Sequence, residues 1–265
     1  DSVFESTLNN NNIPFYKLGT VTTTDNLQLT TDNSQPSTVN IQLSTYRDIW
    51  FETSYLLDQK QTQHHQATAR FENYKNQKLQ YDFPSHFIGK KPVINTTKPK
   101  PKAAIIREKG SNSEREMANA MYLAGFDVKD VHMTDLISGR EDLKDIQFIG
   151  AVGGFSNSDV LGSAKGWAGA FLYNEKAKSV LEDFFKRNDT LSVGICNGCQ
   201  LFMELEMIHP EHEVHGKMHH NTSNKHESGF TSVKIQKNNS VMLSSLEGST
   251  LGVWISHGEG KFNLP

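Results

Sequence analysis

The sequence is short of cysteine, with only Cys196 and Cys199 in 265 residues. That excludes a disulfide-stapled framework and fits a reducing compartment. It lacks a basic excess as well: 27 Lys and Arg against 30 Asp and Glu give a formal net charge of -3. A phosphate-binding surface needs surplus positive charge, so nucleic acid is not expected as a partner. No apolar run approaches the roughly 20 residues needed to cross a bilayer. The opening residues, DSVFESTLNNNN, carry neither the basic flank nor the apolar stretch of a signal peptide. No membrane association is expected, and the expected location is the cytoplasm. No initiating Met opens the chain, which fits a processed protein or a piece of a larger one. What is present suffices for a core: 36% of residues are hydrophobic, enough for one well-buried domain and room for a second.

Composition changes near Lys98. Before it, Thr, Asn, Gln and Ser dominate. Residues 13–43 read as short strands joined by polar turns, and the asparagine run 9–12 reads as a mobile loop. Residues 45–80 read as helical, with Trp50, Tyr55, Leu56 and Leu57 on an early apolar face. Residues 84–101 form a linker ending in NTTKPKPK. After Lys102 strands and helices alternate: AAIIRE, a helix from Ser113 to Leu123, FDVKDVHM, IQFIGAVGG, a helix over 175–187, and a strand from Thr190 to Ile195. Ser113 is placed to cap the first helix with Glu116 as its capping-box partner, and Gly125 to close it. The expected fold class is therefore α/β, a mostly parallel sheet with helices on both faces, preceded by an incomplete α+β segment. In such sheets ligands bind at the carboxyl ends of the strands.

Both cysteines lie at one of those ends, in TLSVGICNGCQLFMEL. A redox pair fits the C-x-x-C spacing, but such a motif normally opens a thioredoxin-like domain, whereas this one follows two or three strand–helix units. A zinc site needs about four ligands. The histidines of HPEHEVHGKMHHNTSNKH, residues 209–226, match no regular ligand spacing, so they read as a solvated surface loop and no metal is expected.

The third option is a nucleophile. A thiol attacking an amide needs help in losing its proton, a base to return it, and donors for the developing oxyanion. Gly194 and Gly198 allow a sharp turn around Cys196, and the following helix favours the thiolate through its dipole. GVWISHGEG, residues 252–260, offers His257 as base. Glu259, two residues on, falls on the same side of an extended strand and can orient the imidazole. AVGGFS, residues 151–156, offers backbone donors after a strand, and the Asn197 N–H lies just past the nucleophile. Three such pieces, all at strand carboxyl ends, select Cys196. Cys199 lies one helical turn below and reads as a small packed side chain.

GICNGCQ, GGFSNSDVLG and SHGEG together resemble the triad-type glutamine amidotransferases. Within them, the sequence resembles the amidotransferase domain of the large, single-chain phosphoribosylformylglycinamidine synthases. The similarity continues through AAIIREKGSNSEREMANAMYLAGFDVKDVHMTDL and GWAGAFLYN, and so covers residues 102–265. The resemblance implies a flavodoxin-like sheet. It implies that Cys196 forms a glutamyl thioester, that His257 is acid and base and that Glu259 orients it. It also implies that backbone N–H groups near Gly154, Phe155 and Asn197 hold the oxyanion. Asn112 and Gln200 would line the glutamine pocket, with turn and helix-start roles as the alternative.

Upstream, RDIWFETSYLLDQKQ and IPFYKLGTVTTTDNLQL resemble the lead-in segment and the closing strands of the ATP-using half of those enzymes. The resemblance thus divides the chain into closing strands (1–45), a helical segment and linker (46–101) and an amidotransferase domain (102–265). The partners implied are glutamine and a synthetase part of the same polypeptide. No cofactor is expected in this stretch, ATP and magnesium belonging to that synthetase part, where ammonia would replace an oxygen of formylglycinamide ribonucleotide.

The sequence departs from the family pattern in NTSNKHESG, where Lys225, His226 and Gly229 stand in place of Arg, Phe and Arg, which puts charged contacts from this loop in doubt. The chain also stops at KFNLP, soon after the third motif, so a fragment of a longer polypeptide is expected. The alternative to a glutaminase is a docking or scaffold fragment without turnover. The two differ in whether the sulfur and the imidazole come together.

Overall fold

Before residue 61 the chain has length but little buried surface. The structure, a computed structural model, describes residues 2–29, 39–63, 65–76, 79–90, 93–94 and 97–265. It packs as two units, Asp1–Lys60 and Gln61–Pro265. The first holds helix α1 (Ser2–Asn10), strands β1 (Asn26–Leu29) and β2 (Val39–Gln42), and helix α2 (Leu43–Gln61). β1 and β2 pair antiparallel, with Asn26 opposite Gln42. The asparagine run expected as a loop instead ends α1: both the backbone N–H and the side-chain Nδ2 of Asn11 donate to Thr7 O, at 3.2 and 2.8 Å. The other strands and turns expected over 30–38 lie outside the described residues. Neither helix of this unit has a buried residue. Trp50 is 80% exposed, so the apolar face anticipated on α2 forms without being covered.

In the second unit the expected helix over 45–80 is interrupted after Gln61 and resumes as α3 (Gln66–Asn73), with His65 in the left-handed region at φ 56° between them. Residues 77 and 78 of that expected helix lie outside the described residues. β3 (Lys102–Arg107) then opens the alternating part of the chain. It is followed by β4 (Ser111–Asn112), α4 (Glu114–Leu123), β5 (Asp127–His132), α5 (Met133–Ser138) and β6 (Phe148–Ala151). Next come β7 (Gly153–Gly154), α6 (Lys165–Leu172), α7 (Glu175–Lys186), β8 (Leu191–Gly194) and α8 (Asn197–Leu205).

Strands β5, β3, β6 and β8, in that order, form a four-stranded parallel sheet. The chain reverses direction across the sheet between β3 and β6, and ligands bind outside the carboxyl ends at such a switch point. Alternation along β3 sends Ala103 and Ile105 to one face, Ala104 and Ile106 to the other, all four buried. The larger core lies under Trp167, Phe171, Leu181, Phe184 and Leu201, and the smaller one under Met121 of α4. α7 is held by Ala177, Leu181 and Phe184, at helical spacing, and each of its large side chains contributes about 1.5–3 kcal/mol of burial.

Capping differs from the expectation at one helix. Ser113 adopts φ 72° rather than the extended backbone of an N-cap and makes no side-chain cap, and its N–H, the donor a capping box would offer Glu116, goes to Asn112 Oδ1 at 2.7 Å. The capping box lies instead at His132 and Asp135, starting α5. Gly125, at φ 100°, does follow the end of α4 as expected.

The chain then leaves the sheet for two antiparallel ribbons. β9 (Lys217–His220) pairs with β12 (Glu259–Asn263), and β10 (Glu227–Lys234) pairs with β11 (Thr250–His257). No helix among the described residues is long and apolar enough to cross a membrane.

Candidate active site

Cys196 sits where β8 turns into α8, at φ 54° and ψ -111°. A non-glycine residue there stores about 1–3 kcal/mol of strain, and such strain collects at functional sites. The same strand–turn–helix geometry presents the nucleophile of hydrolases that use a sharp elbow. The small neighbours anticipated around the turn are required: a β-carbon on Gly194 would lie 2.6 Å from Gly198 O. Cys196 is exposed, while Cys199 is half buried. Burial pushes the Cys199 thiol up, and Cys196 adds to the effect.

Above the sheet, β4 and β7 pair antiparallel, Ser111 opposite Gly154 and Asn112 opposite Gly153. The residues that follow β3 and β6 thus form a small two-stranded ribbon at the switch point. Its close fit needs glycine: a β-carbon on Gly154, itself at φ 105°, would lie 2.6 Å from Asn112 N. A β-carbon on Gly153 would lie 3.3 Å from Cys196 Cβ, so bare backbone runs past the sulfur. A cavity of about 620 Å³ opens here, lined by Asn112, Glu116, Met117, Met121, Gly153 and Cys196 among others.

The expected oxyanion donors divide. Asn197 is the first residue of α8, so its N–H has no acceptor four residues back within the helix. Gly154 borders the cavity. Phe155 departs from the expectation, because its N–H donates to Gly110 O at 2.9 Å.

The glutamine-pocket candidates divide too. Asn112 lines the cavity, although its Oδ1 accepts from Ser113 N–H. Gln200 is buried and both polar atoms of its amide are bonded: Nε2 donates to Glu259 O at 2.7 Å and Oε1 accepts from Asn197 Nδ2 at 3.0 Å. Asn197 Oδ1 in turn accepts from Ser156 N–H at 3.2 Å. This buried chain ties the loop after β7, the start of α8 and the start of β12 together. It gives Gln200 a structural role.

His257 ends β11, and the residue before it meets the sulfur: Cys196 Sγ donates to Ser256 O at 3.7 Å. Among the described residues, no hydrogen bond joins Sγ to the imidazole. Glu259 was expected to orient His257, but the structure gives that position to another side chain. His257 Nδ1 pairs with Asn221 Oδ1 at 2.9 Å, while the Glu259 carboxylate faces His220 Nδ1 at 3.5 Å. The physical reason is a break at Gly258. His257 belongs to the β10–β11 ribbon opposite Glu227, and Glu259 to the β9–β12 ribbon opposite His220, so the two do not alternate along one extended strand.

Asn221 was overlooked, although it stands in the NTSNKHESG stretch read for its charged positions. His226, read from the sequence only as standing in place of Phe, pairs through Nε2 with Ser256 Oγ at 3.0 Å, and its ring lies 6.5 Å from that of Phe155. Asp159 also borders the network, 3.4 Å from Asn197 Nδ2. Burial raises its carboxyl above the ordinary range, the Ala164 N–H opposes this, and Glu259 adds to the rise. In the histidine-rich loop, His209, Glu211 and His212 come within 4.8 Å of one another, all exposed.

Comparison with known families places this geometry. The profile of the CobB/CobQ-like glutamine amidotransferase domain matches residues 100–265. The chain belongs to this family. As an amidotransferase domain with an N-terminal extension, it is 42% identical over 234 residues to a probable phosphoribosylformylglycinamidine synthase, chloroplastic/mitochondrial, of Arabidopsis thaliana. That match covers 84% of this chain and 16% of the relative. It is 44% identical over 205 residues to a probable phosphoribosylformylglycinamidine synthase of Caenorhabditis elegans, covering 77% of this chain and 15% of the relative. The chain therefore spans about a sixth of the length of these relatives. A solved structure of PurLQS from Thermotoga maritima shares the fold of the amidotransferase domain, with a TM-score of 0.51 and 24% identity over 63% of this chain and 71% of the other.

Proposed function

We propose that the second unit hydrolyses the side-chain amide of glutamine and supplies ammonia for making formylglycinamidine ribonucleotide in purine biosynthesis. One observation carries the reading. Cys196 stands exposed on a strained elbow, with bare backbone on one side, the end of the His257 strand on the other and a cavity alongside.

In this mechanism the Cys196 thiolate attacks the amide carbon, and the carbonyl oxygen gains negative charge. The Asn197 N–H and the backbone at Gly154 receive that charge. His257 gives a proton to the departing nitrogen, ammonia leaves, and a glutamyl thioester remains. Water, losing a proton to His257, attacks the thioester; glutamate departs and the thiol is restored. Glu259 serves as the nearby carboxylate that balances the imidazolium charge. Asn112 contacts the substrate from the cavity wall.

The ammonia would then pass to a synthetase part of the same polypeptide, a cytoplasmic enzyme in this reading. ATP and magnesium act there. The described residues of this chain do not fit magnesium: their one grouping of metal-binding side chains, His209, Glu211 and His212, is rich in imidazole, whereas magnesium takes oxygen ligands. No step here runs through either.

A second reading, a docking fragment without turnover, draws on a single feature, the bond from Sγ to Ser256 O rather than to the imidazole. One experiment separates the two. Incubation with a glutamine-mimicking chloroketone, followed by intact-mass analysis and peptide mapping, should give one adduct on Cys196, alongside glutamate release from glutamine. Undiminished turnover in Cys196→Ala would sink the nucleophile, and the absence of both adduct and turnover would favour docking.

A further inference from the structure

The segment after β7 takes a path that few side chains tolerate. Asn157, Ser158 and Asp159 all lie in the left-handed region, at φ 51°, 56° and 50°. Such residues cost energy and persist only where their surroundings over-determine them. The turn between β3 and β4 supplies part of the hold: Phe155 N–H donates to Gly110 O at 2.9 Å, and Asn157 N–H to Lys109 O at 2.8 Å. Toward α8 the hold comes from the side chain of Asn197, which is fully buried. Its Oδ1 accepts from Ser156 N–H at 3.2 Å, and its Nδ2 reaches Asp159 Oδ1 at 3.4 Å. It thus grips the strained run just before its first residue and at its last.

The partners allow one orientation of this amide. Ser156 N–H can only donate, so it selects the oxygen. Gln200 fixes the nitrogen independently: its own Nε2 donates to Glu259 O, which only accepts, and this leaves Oε1 to accept from Asn197 Nδ2 at 3.0 Å. Both hydrogens of Asn197 Nδ2 therefore have acceptors.

The backbone of the same residue carries an N–H placed to receive the oxyanion, and Gly154 stands two residues before Ser156. We propose that the Asn197 side chain is the positioning group of the oxyanion site: it locks the segment after β7 against the start of α8 and so sets the gap between its own N–H and the backbone at Gly154. This rests on the amide-hydrolysis reading and deepens it. Charge develops on the carbonyl oxygen only as the thiolate attacks, and donors help when they stand about 2.7–3.1 Å from where that oxygen will be. Once the grip is released, the strained run can relax and carry Gly154 with it, while Cys196 stays on its elbow.

Two replacements test the bonds. Asn197→Leu keeps the branched shape and removes every bond; Asn197→Asp keeps an acceptor for Ser156 N–H. Asn197→Leu should lower glutaminase kcat by about 10–10²-fold, short of the loss from deleting a donor outright, with KM within about threefold of wild type. Asn197→Asp should recover part of that kcat. Iodoacetamide needs no oxyanion donor and should alkylate Cys196 at the wild-type rate in both variants. The glutamine-mimicking chloroketone, whose carbonyl takes the place of the amide carbonyl, should react about 10-fold more slowly with Asn197→Leu. A general loosening of the site would change both rates together and would overturn the assignment.

Amide hydrogen exchange reads the grip without turnover. Ser156 N–H should be protected in wild type and in Asn197→Asp, and at least about 10-fold less protected in Asn197→Leu. Circular dichroism confirms that each variant is folded; if Asn197→Leu is not, wild-type exchange and Asn197→Ala decide. An unprotected Ser156 N–H in wild type overturns the proposal, as does an unchanged kcat in the folded Leu variant or a loss confined to KM. A protected Ser156 N–H in a protein that neither hydrolyses glutamine nor takes the chloroketone would sink the hydrolysis reading and leave the grip standing.

Discussion

Gly198 lies so close beneath the end of β6 that a β-carbon on it would fall 2.1 Å from the carbonyl oxygen of Ala151. Ala151 is fully buried and belongs to the central sheet, so its backbone has nowhere to go. The helix carrying the nucleophile is thus seated directly on the sheet. Gly198→Ala should destabilise the second unit by about 1–3 kcal/mol, as overpacking of a dense core does. It should also displace Cys196 and depress glutaminase activity. Urea denaturation and turnover check this together; an unchanged midpoint would show that α8 can lift without cost.

The two cysteines should behave differently toward alkylation. Cys196 is exposed, whereas Cys199 is half buried with its thiol pushed up. Iodoacetamide at pH 7.5 should label Cys196 first, and Cys199→Ser should retain near wild-type glutaminase activity. Cys196→Ser should lose at least about 10³-fold, the scale seen when a covalent nucleophile is removed. Peptide mapping of the label and the two turnover rates decide it.

Gln200 offers a test of structural against substrate-binding roles. Replacing it with Ala leaves Glu259 O and Asn197 Nδ2 short of partners, which costs about 1–3 kcal/mol for buried groups. The expected outcome is a lower unfolding midpoint accompanied by a fall in kcat. A rise in KM alone, with stability intact, would restore Gln200 as a glutamine contact.

Asp159 makes stability depend on pH. Its folded-state carboxyl titrates above the ordinary range because of burial, against the pull of the Ala164 N–H and with the push of Glu259. Between the ordinary value, about pH 4, and the raised one, the folded protein holds more protons than the unfolded chain. Its contribution to stability is therefore present at low pH and is lost as pH rises through that window. Asp159→Asn should remove this slope. Urea midpoints of both proteins across the acid range test it, and parallel curves would contradict it.

Much of the sheet could be read from the residues. Ala103 to Ile106 are apolar on both faces of a strand, and Ala177, Leu181 and Phe184 recur at helical spacing, so both elements form where expected. Cys196 could be singled out because three separate glycine-bearing turns fell at strand ends. α5 and α6 were not: α5 is six residues long, and α6 carries Gly166 and Gly169, which weaken helical signal.

The pairing of β4 with β7 joins residues about forty positions apart through two-residue strands, which no local pattern reveals. His257 and Glu259 were placed together by strand alternation, and that rule lapses where Gly258 interrupts the strand. Asn221 escaped notice for a related reason, since its partner His257 lies in another ribbon, 36 positions along the chain.

The β10–β11 ribbon contains no fully buried residue, unlike the sheet that carries the sulfur. The proposed base and nucleophile therefore rest on footings of unequal strength. On warming, the lighter footing should loosen first. Inactivation would then precede loss of helical signal, leaving a temperature interval in which a folded scaffold carries a disassembled catalytic pair.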